Sequence, residues 1–376
     1  MREKQRKWKK IIRIVLSGIL IAACILATVL FAMTRNGKSM EDIKGSVVSL
    51  FKEAAKTETF YYDQGRNGVF ADVGGSFLIA STTGVQMFGQ DGTELVFKSS
   101  VMTNPAVDTC GDYAVAFDIG GTRVYVLSKS ELIYSVTTEE KIIDAAVNAN
   151  GWITLCTQEE GYNGQVTVYN REGTAVYQWF SGENFLLAAA LANSNGRMAV
   201  LTIGQEASRI TVFDLNSEEP RASIDISREV LIDLAFKSGD TLAAISTDHV
   251  YFLNVNGEVT AQYDSEGAVL TAYDLGGDGI VTAAYSDYKD SASGRIVTVN
   301  LKGEVLGRLD LEESIQSLAV NDRYVAALYG SGLVVYSVKL DEKASNSELT
   351  GGRTVLLREG KTAVVAGDYS AEIFDF

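Results

Sequence analysis

The chain has 376 residues, 46% of them apolar and 22% charged, which excludes disorder along most of its length and leaves room for two domains or one large architecture. A formal charge of −15 excludes a general nucleic-acid binder. One histidine in the whole chain excludes a His-rich metal site and leaves His249 as the sole imidazole base.

The N-terminus opens with seven basic side chains in 13 residues, opposed only by Glu3. Ile14 to Met33 then runs for 20 residues without a charge. At 1.5 Å per residue such a helix spans about 30 Å, the thickness of a bilayer's hydrocarbon core. The basic flank is expected to stay in the cytoplasm, placing the rest outside. Two other readings compete. A cleaved signal peptide would need a shorter apolar run and a small-residue cleavage site. A lipoprotein signal is suggested by Ile21-Ala22-Ala23-Cys24, although the residues after Cys24 stay apolar rather than forming a polar tether. Ser39-Met40-Glu41-Asp42 reads as a capped helix start, and Ile43, Val47, Leu50, Phe51 and Ala54 recur at helical spacing. The expected organisation is a cytoplasmic tail (1–13), a transmembrane anchor (14–33), a linker with a short amphipathic helix (34–57) and the main domain (58–376).

From Phe60 the hydrophobic period becomes two. A turn followed by an apolar strand recurs eight times, beginning at Gly75, Gly111, Gly151, Gly196, Gly239, Gly279, Asp322 and Gly360, at intervals of 36 to 45 residues. A strand of small residues precedes each turn, as in Ile143-Asp-Ala-Ala-Val. A strand ending in an aromatic or Val follows, as in Val166-Thr-Val-Tyr. Turns such as Asn170-Arg-Glu-Gly, Asn254-Val-Asn-Gly and Asn300-Leu-Lys-Gly then lead to a fourth strand. Four antiparallel strands per repeat of roughly 40 residues predict an all-β, eight-bladed β-propeller. The last repeat supplies only three strands, so Thr59 to Gln64 is expected to close the ring as its fourth. Leu340 to Thr350 is polar where the seventh blade needs an outer strand, which keeps a seven-blade alternative open.

These blades lack the Gly-His and Trp-Asp pairs of WD40 repeats and the spaced Gly and Trp of quinoprotein repeats. A basic start, one span, a short helix and Gly-turn repeats with elements such as Val168-Tyr-Asn-Arg-Glu-Gly together resemble a family of single-span, propeller-like membrane proteins of Gram-positive Clostridia. The resemblance implies a topology and a fold. It carries no site or activity onto this chain.

Catalytic signatures are sparse. His249 has no Gly-x-Ser-x-Gly elbow beside it and is expected in a loop or at a strand edge. Cys110 and Cys156 fall at different points of the repeat, which does not favour a disulfide, and no Cys/His spacing suits zinc. Asp274 with Asp278, and Asp287 with Asp290, lack the alternating oxygen ligands of a calcium loop. No metal or cofactor is expected.

Two segments between second and third strands stand out by length. One carries Glu159, Glu160, Tyr162 and Asn163 in the third blade, and the other Asp287, Tyr288 and Asp290 in the sixth. Aromatic faces beside carboxylates suit sugars or cationic groups. From Thr34 onward 26 basic side chains face 47 acidic ones, so anionic lipid and wall polymers would be repelled. The expected function is a noncatalytic, membrane-anchored interaction module. It would be a monomer outside the cell, with a protein, peptide or glycan partner and no nucleic acid. A sensor for a sugar, peptide or other small molecule is the alternative, and a carboxylate-based carbohydrate-acting enzyme a second.

Overall fold

The computed structural model describes residues 57–62, 67–277, 279–289 and 291–376. The expected tail, anchor and amphipathic helix lie outside these residues, as do Cys24, Asp278 and Asp290. No helix among the described residues is long and apolar enough to cross a membrane.

The described chain folds into eight four-stranded antiparallel sheets. Seven are built from four consecutive strands, starting at Val69, Pro105, Ile142, Phe185, Leu231, Val269 and Ile315. The eighth combines Thr354–Leu357, Thr362–Ala366 and Ser370–Asp375 with Thr57–Tyr61 from the start of the domain. Thr57 pairs with Phe374 and Tyr61 with Ser370. The ring is therefore closed by hydrogen bonds between its two ends, which removes the exposed edge of an open array. The closing strand starts two residues earlier than Thr59 and stops at Tyr61. Just beyond it the Tyr62 N–H still bonds the Tyr369 carbonyl at 3.0 Å, and its hydroxyl donates to the carbonyls of Gly367 and Ser370 at 2.8 and 2.9 Å.

The seven-blade alternative is excluded. Glu342–Asn346 pairs with the third strand of the seventh blade despite its polar sequence. Outer strands tolerate this because one of their faces meets water. That of the third blade, Ala175–Phe180, alternates between exposed and half-buried. Second strands show the opposite pattern, with Ser76–Ser81 buried at every position.

The core is a ring of interfaces. Among the described residues eight apolar clusters occur, one between each pair of adjacent blades. The seam between the eighth and first blades is aromatic, packing Phe60 and Tyr62 against Phe70, Phe77 and Phe88 with ring centroids 5.2–6.4 Å apart. Outer-strand aromatics also reach the next blade. Tyr134 and Tyr177 each donate to a carbonyl about one repeat onward, on Asn170 and Ser217.

Candidate functional site

Strand order gives the ring two unlike rims. The first carries the turns between strands one and two and between strands three and four. Thr57, the first residue of the closing strand, lies on this rim. The second carries the turns between strands two and three and the connections from blade to blade.

The first rim is built from polar turns that satisfy themselves. Asn170, Asn254 and Asn300 each accept two backbone N–H bonds through the side-chain oxygen, from residues two and four positions ahead. The glycines completing these turns, Gly173, Gly257 and Gly303, sit at φ of 76–82°, where a Cβ would be strained.

Large apolar side chains are exposed on the second rim. They include Tyr61, Val101, Phe185 and Tyr369 besides Tyr162 and Tyr288. The segment expected as a long loop in the third blade is instead an extended hairpin. Its strands run to Glu159 and resume at Tyr162, and these two residues pair across a two-residue turn of Glu160 and Gly161. Tyr162, 51% exposed, packs on Phe180 with ring centroids 4.9 Å apart. Asn163 N–H donates to the Ser181 carbonyl at 2.7 Å. In the sixth blade the segment is a true loop between Ile280–Ser286 and Gly294–Asn300, with Asp287 N–H bonded to the Ser293 carbonyl and Tyr288 67% exposed. Tyr162 and Tyr288 share a rim three blades apart. None of the described candidate residues lines the central channel.

The channel holds what the sequence reading passed over. A cavity of about 800 Å³ is lined by first strands, and five of these carry a carboxylate: Asp72, Asp108, Asp144, Asp233 and Asp274. Aspartate is depleted in strand interiors, so its recurrence within small-residue strands was a legible signal. Blades three to seven share a bulge in the first strand, which sets Asp144, Ala188, Asp233, Ala272 and Ser317 at equivalent positions.

These side chains reach the next blade. Asp108 accepts the Val147 N–H at 2.8 Å, and Asp274 accepts the Val320 N–H at 2.7 Å. Asp144 accepts the Ala189 N–H, and Asp233 accepts the Tyr273 hydroxyl. Ser317 Oγ accepts the Val355 N–H at 3.0 Å, and Arg358 Nε binds Asp72 at 2.8 Å across the ring's closure. Lys237 is buried and donates to carbonyls of Leu275, Gly276 and Gly277 in the following blade. Burial pushes Asp108 and Asp144 up to about 7 and Asp233 up to about 6, and repulsion among neighbouring carboxylates adds to the effect. Asp108 and Asp144 are therefore partly protonated near neutral pH.

His249 opens a third strand, at the edge position expected. Its Nδ1 lies 2.6 Å from Glu229 Oε1. Ser246 Oγ donates to the same carboxylate at 2.7 Å rather than to the imidazole, so the trio is not a nucleophile–base pair. Cys156 is a buried free thiol. Among the described residues no group of three or more His, Cys, Asp or Glu side chains could hold a metal ion.

A family model described as "Family of unknown function (DUF5711)" matches residues 49–365. The chain belongs to this family. No curated protein matches it in sequence. Solved structures of similar fold include BamB from Moraxella catarrhalis, at 15% identity and a TM-score of 0.53 over 86% of this chain and 98% of that one. The C-terminal WD40 domain of Sif2 is similar at 13% identity and a TM-score of 0.56, over 84% of this chain and 99% of that one. A eukaryotic initiation factor follows at 12% identity and 0.55, over 82% and 85%. At these identities the likeness is one of fold. This DUF5711 chain shares the propeller architecture without the WD40 dipeptides.

Proposed function

We propose that this DUF5711 protein is a noncatalytic interaction module. An N-terminal segment would hold it at the cell membrane, with the propeller outside, and its second rim would present a binding surface. The observation that carries this reading is a division of labour. Asp72, Asp108 and Asp274 of the channel lining are engaged in bonds to adjacent blades, whereas large aromatic side chains stand exposed on the second rim. Aromatic residues held by a rigid scaffold concentrate interface energy. The external location rests on the seven basic side chains ahead of the uncharged run.

One experiment tests both parts. Tyr288→Cys and Lys302→Cys place a thiol on the second and first rims. Wall-stripped cells are treated with a membrane-impermeant maleimide that carries a photocrosslinker. Both positions are expected to label, and only position 288 should yield a crosslinked partner. Absence of labelling in intact cells, with labelling after lysis, would overturn the location. Equal adducts from both positions would overturn the assignment of the rim.

A further inference from the structure

Tyr162, Phe180 and Phe185 occupy one corner of the second rim, where the third blade passes to the fourth. Tyr162 packs on Phe180, and Phe185 stands 64% exposed just beyond a four-residue connection. The backbone beneath them is fixed. Ser181 receives the Asn163 N–H through its carbonyl and gives its own N–H to Gly164, at 2.7 and 2.8 Å. The anchors therefore need little ordering when a partner arrives.

Charge around this corner has one dominant sign. Glu139, Glu140, Glu160, Glu183 and Glu206 are exposed on the adjoining turns and connections. Cations stand among them too, including Lys141, Arg209 and the exposed Arg228, whose backbone N–H bonds the Glu206 carbonyl at 2.9 Å. Arg209 is already held by Asp225 at 2.7 and 3.1 Å and lies 3.6 Å from Glu183. An apolar centre ringed by carboxylates is complementary to a cationic surface that carries its own apolar anchors, and aromatic faces also attract guanidinium and ammonium groups. Anionic lipids and wall polymers carry the wrong sign.

Resting on the proposal that the second rim is the binding surface, we infer that this corner docks a basic segment of a partner protein, rich in Lys and Arg and carrying apolar side chains. The probe is a fluorescent 12-residue peptide of alternating arginine and tryptophan, beside a counterpart with glutamate in place of arginine. Anisotropy is measured with the full chain in an uncharged detergent, and micelle partitioning cancels on comparing wild type with variants. The arginine peptide is expected to bind with an affinity that falls as salt rises. Tyr162→Ala with Phe185→Ala should weaken it by about tenfold or more. Glu160→Gln with Glu183→Gln, which leaves the apolar anchors intact, should weaken it several-fold and flatten the salt dependence. Arginine-peptide binding that is equal in wild type and both double variants would overturn the corner as the site. Binding of the glutamate peptide that is lost with Tyr162 and Phe185 would keep the rim as a binding surface and overturn its preference for basic partners.

Discussion

Arg358 and Asp72 show how much a single contact can matter in a closed ring. They lie 286 residues apart and meet at 2.8 Å where the eighth blade abuts the first. Their side chains are 7% and 16% exposed, so removing one partner strands a charge in a nearly dry site. Arg358→Ala is expected to destabilise the propeller by about 3–5 kcal/mol, read from the urea midpoint at unchanged slope. A loss below about 1 kcal/mol would mean that water rescues Asp72 and that the pair does not brace the seam. Nothing in the sequence pairs these residues, because their meeting depends on the ring closing. Tyr162 was legible as an exposed aromatic beside carboxylates. Its partner Phe180 was not, because it ends an outer strand whose register against Tyr162–Tyr169 is set by a bulge at Val168 and Tyr169.

At the scale of strands, the legible elements were those with one environment. Second strands are buried along their length, so their apolar runs and preceding turns counted the blades. Outer strands alternate between solvent and the neighbouring blade, which hid Glu342–Asn346 among polar residues. The hairpin through Glu160 and Gly161 read as a loop because its tip is polar and extends beyond the region of blade packing. The closing strand was legible by elimination, since the last repeat lacked a partner. Removing residues 1–56 should leave a folded domain, because every paired strand among the described residues remains. Removing residues 1–66 deletes Thr57–Tyr61 and takes Phe60 and Tyr62 out of the aromatic seam. The longer truncation is expected to melt several degrees lower in calorimetry, or to aggregate through its exposed third strand. Equal melting temperatures would show that the ring does not depend on this closure.

Across the whole molecule, the channel turns repeated blade-to-blade bonds into a shared response to pH. Asp108, Asp144 and Asp233 lie on three blades around one cavity; burial raises the proton affinity of each, and neighbouring carboxylates add to it, Asp233 acting on Asp108, Asp108 and Asp233 on Asp144, and Asp274 on Asp233. In the unfolded chain each returns to the ordinary carboxylate range near 4. Between about pH 4 and pH 7 the native state therefore binds more protons than the unfolded state, and stability falls as pH rises through that window. The stabilising contribution is fully present below the unfolded value and is lost as the pH passes the raised native values of about 6 and 7. Self-repulsion of a chain at −15 also grows with pH, so wild type alone cannot isolate the channel. Replacing all three with asparagine keeps an oxygen acceptor for the bonds between blades and removes the titration. Wild type is expected to lose several degrees of melting temperature from pH 5 to pH 8, and the triple variant distinctly less, so that the variant is the more stable protein at pH 8. Parallel melting curves for the two proteins across this range would mean that the channel carboxylates are hydrated well enough to ionise as they do in the unfolded chain.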